Sequence, residues 1–273
     1  MKSNAWDRAA LNAAIRSLRS CLCVGLDTDQ SRLPLHLKDD QEGMLIFNKS
    51  IVDHTLPFTV AYKVNAAFYE CLGQAGWKVM EQTIEYICSK GKFLILDAKR
   101  GDIGNTGEMY ARAAFDVLHA DGVTVSPYMG KDSIDPFLKY KNHWTILLGL
   151  TSNSGSEDFQ LKKMATGRYL FEEVVTTART WAGPDQLMFV AGATQADFLI
   201  RIRQLVPDYF LLIPGIGAQG GDLDEVMRNT CTKEGDILIN SSRNIIYVSS
   251  GEDFAFAAGL EAEKVQKKMA KYF

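Results

Sequence analysis

Short apolar runs alternate with amphipathic stretches along the chain. Eight runs read as strands: Cys21–Asp27, Thr59–Asn65, Phe93–Lys99, Gly122–Tyr128, Thr145–Ser152, Leu187–Thr194, Tyr209–Gly217 and Asp236–Arg243. Their starts recur about every 31 residues, the length of one strand–helix unit. Each run is close to continuously apolar rather than alternating, the pattern of a parallel strand covered on both faces. Between them, Asn105–Ala120, Gly167–Trp181, Thr194–Leu205, Asp222–Asn229 and Glu252–Lys271 read as helices. Asn105 or Thr106, Thr194 and Asp222 stand where N-caps are wanted, and Met109, Ala113 and Val117 form an apolar stripe at spacing four. Eight such units predict an α/β fold, a single (β/α)8 TIM barrel over residues 1–273. A doubly wound open sheet is the alternative, because strand count alone does not show closure.

Composition narrows the function. The 273 residues are 47% hydrophobic and 23% charged, which fits a globular chain and excludes disordered or fibrous classes. A net charge of -3 gives no general attraction to nucleic acid or anionic membrane, so neither is an expected partner. No run of about 18 apolar residues occurs, which argues against a membrane span. Charges at Lys2, Asp7, Arg8, Arg16 and Arg19 leave no apolar core for a secretion signal, so a cytoplasmic location is expected. Five cysteines, an odd number inside apolar runs, read as buried reduced thiols. The four histidines form no closely spaced pair, so no structural zinc is expected.

The chemistry of a barrel gathers where its strands end. Strand one ends in Asp27, strand two carries Lys63, and strand three ends in Asp97-Ala98-Lys99-Arg100-Gly101-Asp102. Alternation puts Asp97 and Lys99 on one face, opposite Leu94, Leu96 and Ala98. Charges at matching depth on three strands point to a paired network in the barrel mouth, because buried ions demand partners. A lysine flanked by aspartates stays protonated, which suits a proton donor or carbanion stabiliser rather than a Schiff-base amine.

A second cluster lies on strands seven and eight. Gly215-Ile216-Gly217-Ala218-Gln219-Gly220 follows strand seven, and Asn240-Ser241-Ser242-Arg243 ends strand eight. A dinucleotide fingerprint belongs in the first strand–helix unit, whereas loops seven and eight of a barrel commonly hold phosphate. Arg243 is the expected charge-assisted phosphate contact, with Gln219 closing from the loop. Ser126-Pro127-Tyr128 and Thr151-Ser152-Asn153 offer hydroxyls and amides suited to a nucleobase edge.

Together these residues resemble the orotidine 5′-phosphate decarboxylase family, in its longer bacterial type-2 subgroup. The most specific element is Asp97-x-Lys99-x-x-Asp102 followed by Ile103-Gly104-x-Thr106. Lys63-Val64-Asn65, Ser126 to Gly130, Leu150 to Asn153, Pro214 to Gly221 and Asn240 to Arg243 support it. The resemblance implies a homodimer that converts orotidine 5′-monophosphate to uridine 5′-monophosphate and CO2 without metal or cofactor. It implies Lys99 as proton donor to C6 and Asp97 beside the departing carboxylate. Lys63 and Asp27 would complete the charge network and hold the ribose. Asp102 and Thr106 would act across the dimer. Ser126, Thr151 and Pro214 would meet the pyrimidine, and Gly217, Gln219, Ser242 and Arg243 the phosphate. Two other readings remain: a Mg²⁺-dependent sugar-phosphate decarboxylase of the same superfamily, or a non-catalytic barrel that binds a phosphate ligand. The former relatives carry an acidic residue where this chain has Lys63.

Overall fold

The computed structural model describes residues 6–40, 42–193, 196–215 and 221–273. Its strands are β1 (Leu22–Leu26), β2 (Ala61–Asn65), β3 (Phe93–Arg100), β4 (Gly122–Val125), β5 (Trp144–Leu150), β6 (Leu187–Ala191), β7 (Phe210–Pro214) and β8 (Ile237–Ser241). Every neighbouring pair is parallel, and β8 returns to β1 with Cys23 opposite Asn240, so the sheet closes into a barrel. This settles closure over the open sheet. The strand cores are almost wholly buried, which is why their sequence shows continuous apolar runs instead of alternation.

Helices cover the outside: Gly43–Thr55, Gly73–Ser89, Gly104–Arg112, Leu170–Ala178, Ala196–Leu205, Leu223–Thr230 and Phe254–Met269. Asp222 caps its helix as expected, accepting from Glu225 N at 2.8 Å. Thr194 lies outside the described residues. The helix after β3 departs from expectation. Ile103 holds its N-cap position, so Asn105 and Thr106 lie within the first turn instead of capping it. The stripe Met109, Ala113 and Val117 faces solvent, whereas Gly107, Ala111, Ala114 and Phe115 are buried. Size explains the reversal. A Cβ on Gly107 would lie 2.4 Å from Asp102 O and 2.9 Å from Pro136 Cγ, so the contact face opens with residues too small to register as an apolar stripe, and Phe115 joins it only in the last turn.

The thiols also differ from expectation. Cys21 and Cys23 are buried, Cys88 and Cys231 are half-buried, and Cys71 is exposed at the end of the short Ala67–Glu70 turn. At the foot of the barrel an additional helix, Arg8–Leu18, packs across the strand starts. Arg8 grips Asp236 through two hydrogen bonds, joined by Asn12 and Thr232, while Arg203 donates to the carbonyls of Thr230, Val206, Tyr209 and Asp236. Such polar closure of the foot leaves the opposite mouth for chemistry.

Candidate active site

Four charged side chains meet inside the mouth. Lys63 on β2 donates to Asp97 Oδ2 at 2.9 Å and to Asp27 Oδ1 at 3.2 Å. Lys99 donates to Asp97 Oδ1 at 2.6 Å. The register explains the meeting: Lys63 lies opposite Gly25 on β1 and Ile95 on β3, two residues before Asp97. Gly25 leaves room for the end of β8: a Cβ there would come within 1.9 Å of Ser242 Oγ and 3.0 Å of Asn240 Oδ1.

The array is ordered Asp27–Lys63–Asp97–Lys99, alternating in sign. Within one chain it is Lys63 that bridges two aspartates, whereas Lys99 pairs with Asp97. Burial alone would make the Lys63 ammonium easier to deprotonate, but Asp97 and Asp27 outweigh it and hold the amine well above the usual lysine range. For Asp97, burial favours the neutral acid, and Lys63 and Lys99 reverse this to hold the carboxyl well below the usual carboxylate range. The two lysine side chains differ sharply in access: Lys63 is 5% exposed and Lys99 51%. Lys63 is the fixed structural cation, and Lys99 is the ammonium open to a ligand.

Lys99 also leaves regular strand geometry. Its φ is +47°, and the β3–β4 pairing shifts register between Leu96 and Arg100. Simple alternation does not continue through this point. Instead the chain kinks, and Lys99 reaches Asp97 from a left-handed backbone, a strain of the kind stored at functional sites. Pairing resumes where Ser126 N donates to Arg100 O at 2.8 Å.

The remaining expected residues scatter around this centre. Asp102 accepts from the amide of Ile103 and, among the described residues, makes no ion pair with Lys99. Thr106 is exposed on the following helix. Ser126 and Pro214 sit half-buried at the ends of β4 and β7. Thr151 spends its N–H on Gln160 Oε1 at 2.8 Å and its hydroxyl on Asn153 and Gln160. Ser242 accepts from Asn240 Nδ2, and Arg243 opens the short Arg243–Ile246 helix with its side chain exposed. Gly217 and Gln219 lie outside the described residues.

Two features escaped the sequence reading. Thr124, in the middle of β4, touches both Asp97 and Lys99. Arg100 pairs with Glu70 and lies 5.2 Å from the Tyr110 ring, tying β3 to the helices on either side. Thr124 had one available signal: a polar residue within an apolar strand, two positions before Ser126. Among the described residues, no three His, Cys, Asp or Glu side chains cluster as a metal would need. No described helix is long and apolar enough to cross a membrane.

Comparison with known proteins agrees with this geometry. Residues 20–252 match the family model described as orotidine 5′-phosphate decarboxylase / HUMPS family. The chain is 51% identical over 267 residues to orotidine 5′-phosphate decarboxylase of Bacteroides fragilis, covering 97% of each. Among solved structures, Leishmania donovani OMP decarboxylase superposes with a TM-score of 0.80 at 32% identity, covering 97% of this chain and 99% of that one. Leishmania donovani UMP synthase matches at 35% identity and a TM-score of 0.82, and the chain spans 56% of that longer protein. A closed barrel, its alternating charges and near-complete alignment converge on one assignment: the chain belongs to the orotidine 5′-phosphate decarboxylase / HUMPS family.

Proposed function

We propose that the protein decarboxylates orotidine 5′-monophosphate to uridine 5′-monophosphate and CO2, as a cytoplasmic homodimer that uses no metal or cofactor. The observation that carries this reading is the Asp27–Lys63–Asp97–Lys99 array, with a buried cation at its centre and an accessible one at its end. Breaking the C6–carboxylate bond leaves an electron pair on C6, and the Lys99 ammonium stabilises that charge and then protonates it. Lys99 regains its proton from solvent, to which half its side chain is open. Asp97, anionic at every working pH, faces the leaving carboxylate and keeps Lys99 aimed. Asp27 and Lys63 hold the ribose, and Ser126, Thr151 and Pro214 line the base. The phosphate is taken by Gly217, Gln219, Ser242 and Arg243, remote binding whose energy holds the charge array closed over C6.

Family membership leaves a metal-dependent sugar-phosphate chemistry as the rival. Lys63 disfavours it: its ammonium already neutralises Asp27 and Asp97, the carboxylates a divalent cation would need. Dimerisation is supported by the position of Asp102 and Thr106, outside the array of their own chain. It is supported too by exposed Ile103, Met109, Tyr110, Tyr128 and Met129 on the loops and helix beside them.

The test is loss of absorbance as orotidine 5′-monophosphate is consumed, with and without EDTA. Turnover should be indifferent to the chelator. Lys99→Ala should cut it by at least ~10²-fold while uridine 5′-monophosphate still binds, since general acid catalysis alone is worth that much. A chelator-sensitive enzyme, or a Lys99→Ala variant near wild-type activity, would refute the reading.

A further inference from the structure

Position 124 lies inside the apolar run of β4, between Val123 and Val125, and its side chain is buried at 1% exposure. Its hydroxyl makes two hydrogen bonds, both to the Asp97–Lys99 end of the array. Lys99 N lies 2.9 Å from Thr124 Oγ1, and Thr124 Oγ1 lies 2.9 Å from Asp97 Oδ1. Their polarity is fixed by chemistry. A backbone N–H only donates, so the hydroxyl oxygen accepts from Lys99 and its own proton goes to Asp97. Nothing in this relay can be reversed while Asp97 is ionised.

The location explains why a hydroxyl is wanted. The β3–β4 register shifts between Leu96 and Arg100, so the left-handed Lys99 falls where the regular ladder is interrupted. Thr124 supplies an acceptor for the Lys99 amide there, and the same atom presses a proton on the carboxylate that Lys99 Nζ also holds, at Oδ1. One side chain thus fixes the backbone of Lys99 and the carboxylate to which the Lys99 ammonium is tethered.

We infer that Thr124 is a positioning residue, which sets the aim of Lys99 and the orientation of Asp97 without touching substrate itself. This rests on the decarboxylase reading above. Positional errors well below an ångström strongly reduce turnover in pre-organised sites, whereas ground-state binding through phosphate and ribose is left alone. Loss of the hydroxyl should therefore appear in kcat and not in KM.

The experiment compares wild type, Thr124→Val and Thr124→Ser with orotidine 5′-monophosphate, alongside uridine 5′-monophosphate binding and thermal melting. For Thr124→Val we expect kcat to fall roughly tenfold to a hundredfold with KM and product affinity within about threefold of wild type, the signature of an interaction felt in the transition state. Thr124→Ser, which keeps the hydroxyl, should recover kcat to within about threefold. Thr124→Ala, too small to overfill the site, gives the same comparison should the valine variant fail to fold. A valine or alanine variant with wild-type kcat would overturn the inference, as would a serine variant no better than valine. An inactive wild type would overturn the decarboxylase reading and this inference with it. An active wild type beside an equally active Thr124→Val would overturn the inference alone.

Discussion

Replacing Lys63 by methionine keeps the bulk of a nearly inaccessible side chain and removes its charge, leaving Asp97 and Asp27 without the cation they share. Breaking a buried ion pair by deleting one partner costs about 3–5 kcal/mol, mostly as the penalty of the stranded charge. Asp97 retains Lys99 and the Thr124 hydroxyl, so the low end, ~3 kcal/mol, is expected at pH 7. At about 2 °C per kcal/mol for a chain of this length, Tm should fall by ~6 °C. The pH dependence follows from the two displaced titrations. Asp97 has a folded value below its unfolded one, so its contribution is present above about pH 3.9 and is lost as pH falls through the depressed folded value. Lys63 has a folded value above its unfolded one, so its share is present below about pH 10.4 and is lost as pH rises through the raised value. The gap between wild type and Lys63→Met should therefore be full between about pH 4 and 10 and narrow outside that window. Thermal melts by circular dichroism across pH 3–8 measure the acid side. Lys63→Met combined with Asp97→Asn should melt higher than Lys63→Met alone, because the stranded carboxylate is gone. If Lys63→Met melted within ~1 °C of wild type at pH 7, or the double variant no higher than the single, the array would not be the coupled buried network described here.

Two further outcomes test the assembly and the interior. Mixing inactive Lys99→Ala and Asp102→Ala chains should restore roughly a quarter of wild-type activity, since half of randomly re-formed dimers are mixed and each carries one intact site of two. Arg243→Ala mixed with Lys99→Ala should restore none, and equal rescue in both mixtures would mean that the subunit boundary does not pass through the site as proposed. Burial pushes the Cys23 thiol up to about 12, so at pH 8 an aromatic disulfide reagent should label exposed Cys71 and reach Cys21 and Cys23 only on unfolding. Labelling of Cys23 in the native protein, read by mass spectrometry, would contradict that burial.

The barrel was legible because its strands are buried on both faces and recur at one spacing, and because charge at three strand ends is too costly to be accidental. What escaped is local. The helix after β3 buries Gly107 and Ala111, whose small side chains carry little apolar signal, so the larger Met109 and Val117 drew the face the wrong way round. Strand alternation put Asp97 and Lys99 together correctly but for an incomplete reason, since the backbone kinks at Lys99 and the contact survives through side-chain reach. Linear order also hid which lysine sits between which aspartates: Asp27 is 36 positions from Lys63, and only the β1–β2 register brings them together. Thr124 was masked by its neighbours, an isolated hydroxyl among valines whose importance depends on a register shift no sequence pattern announces.

The left-handed backbone at Lys99 has a consequence for how this sequence can drift. In most strand positions glycine is a poorer occupant than alanine, but at φ +47° the order inverts, because only glycine adopts that conformation without penalty. Among residues that lack the ammonium, selection for a sturdier fold would thus favour glycine at position 99, and the proposed proton donor is kept there against the local preference of the backbone. Lineages released from the need for pyrimidine synthesis would have a downhill route away from activity at this codon, one that a comparison restricted to packing and charge would not anticipate.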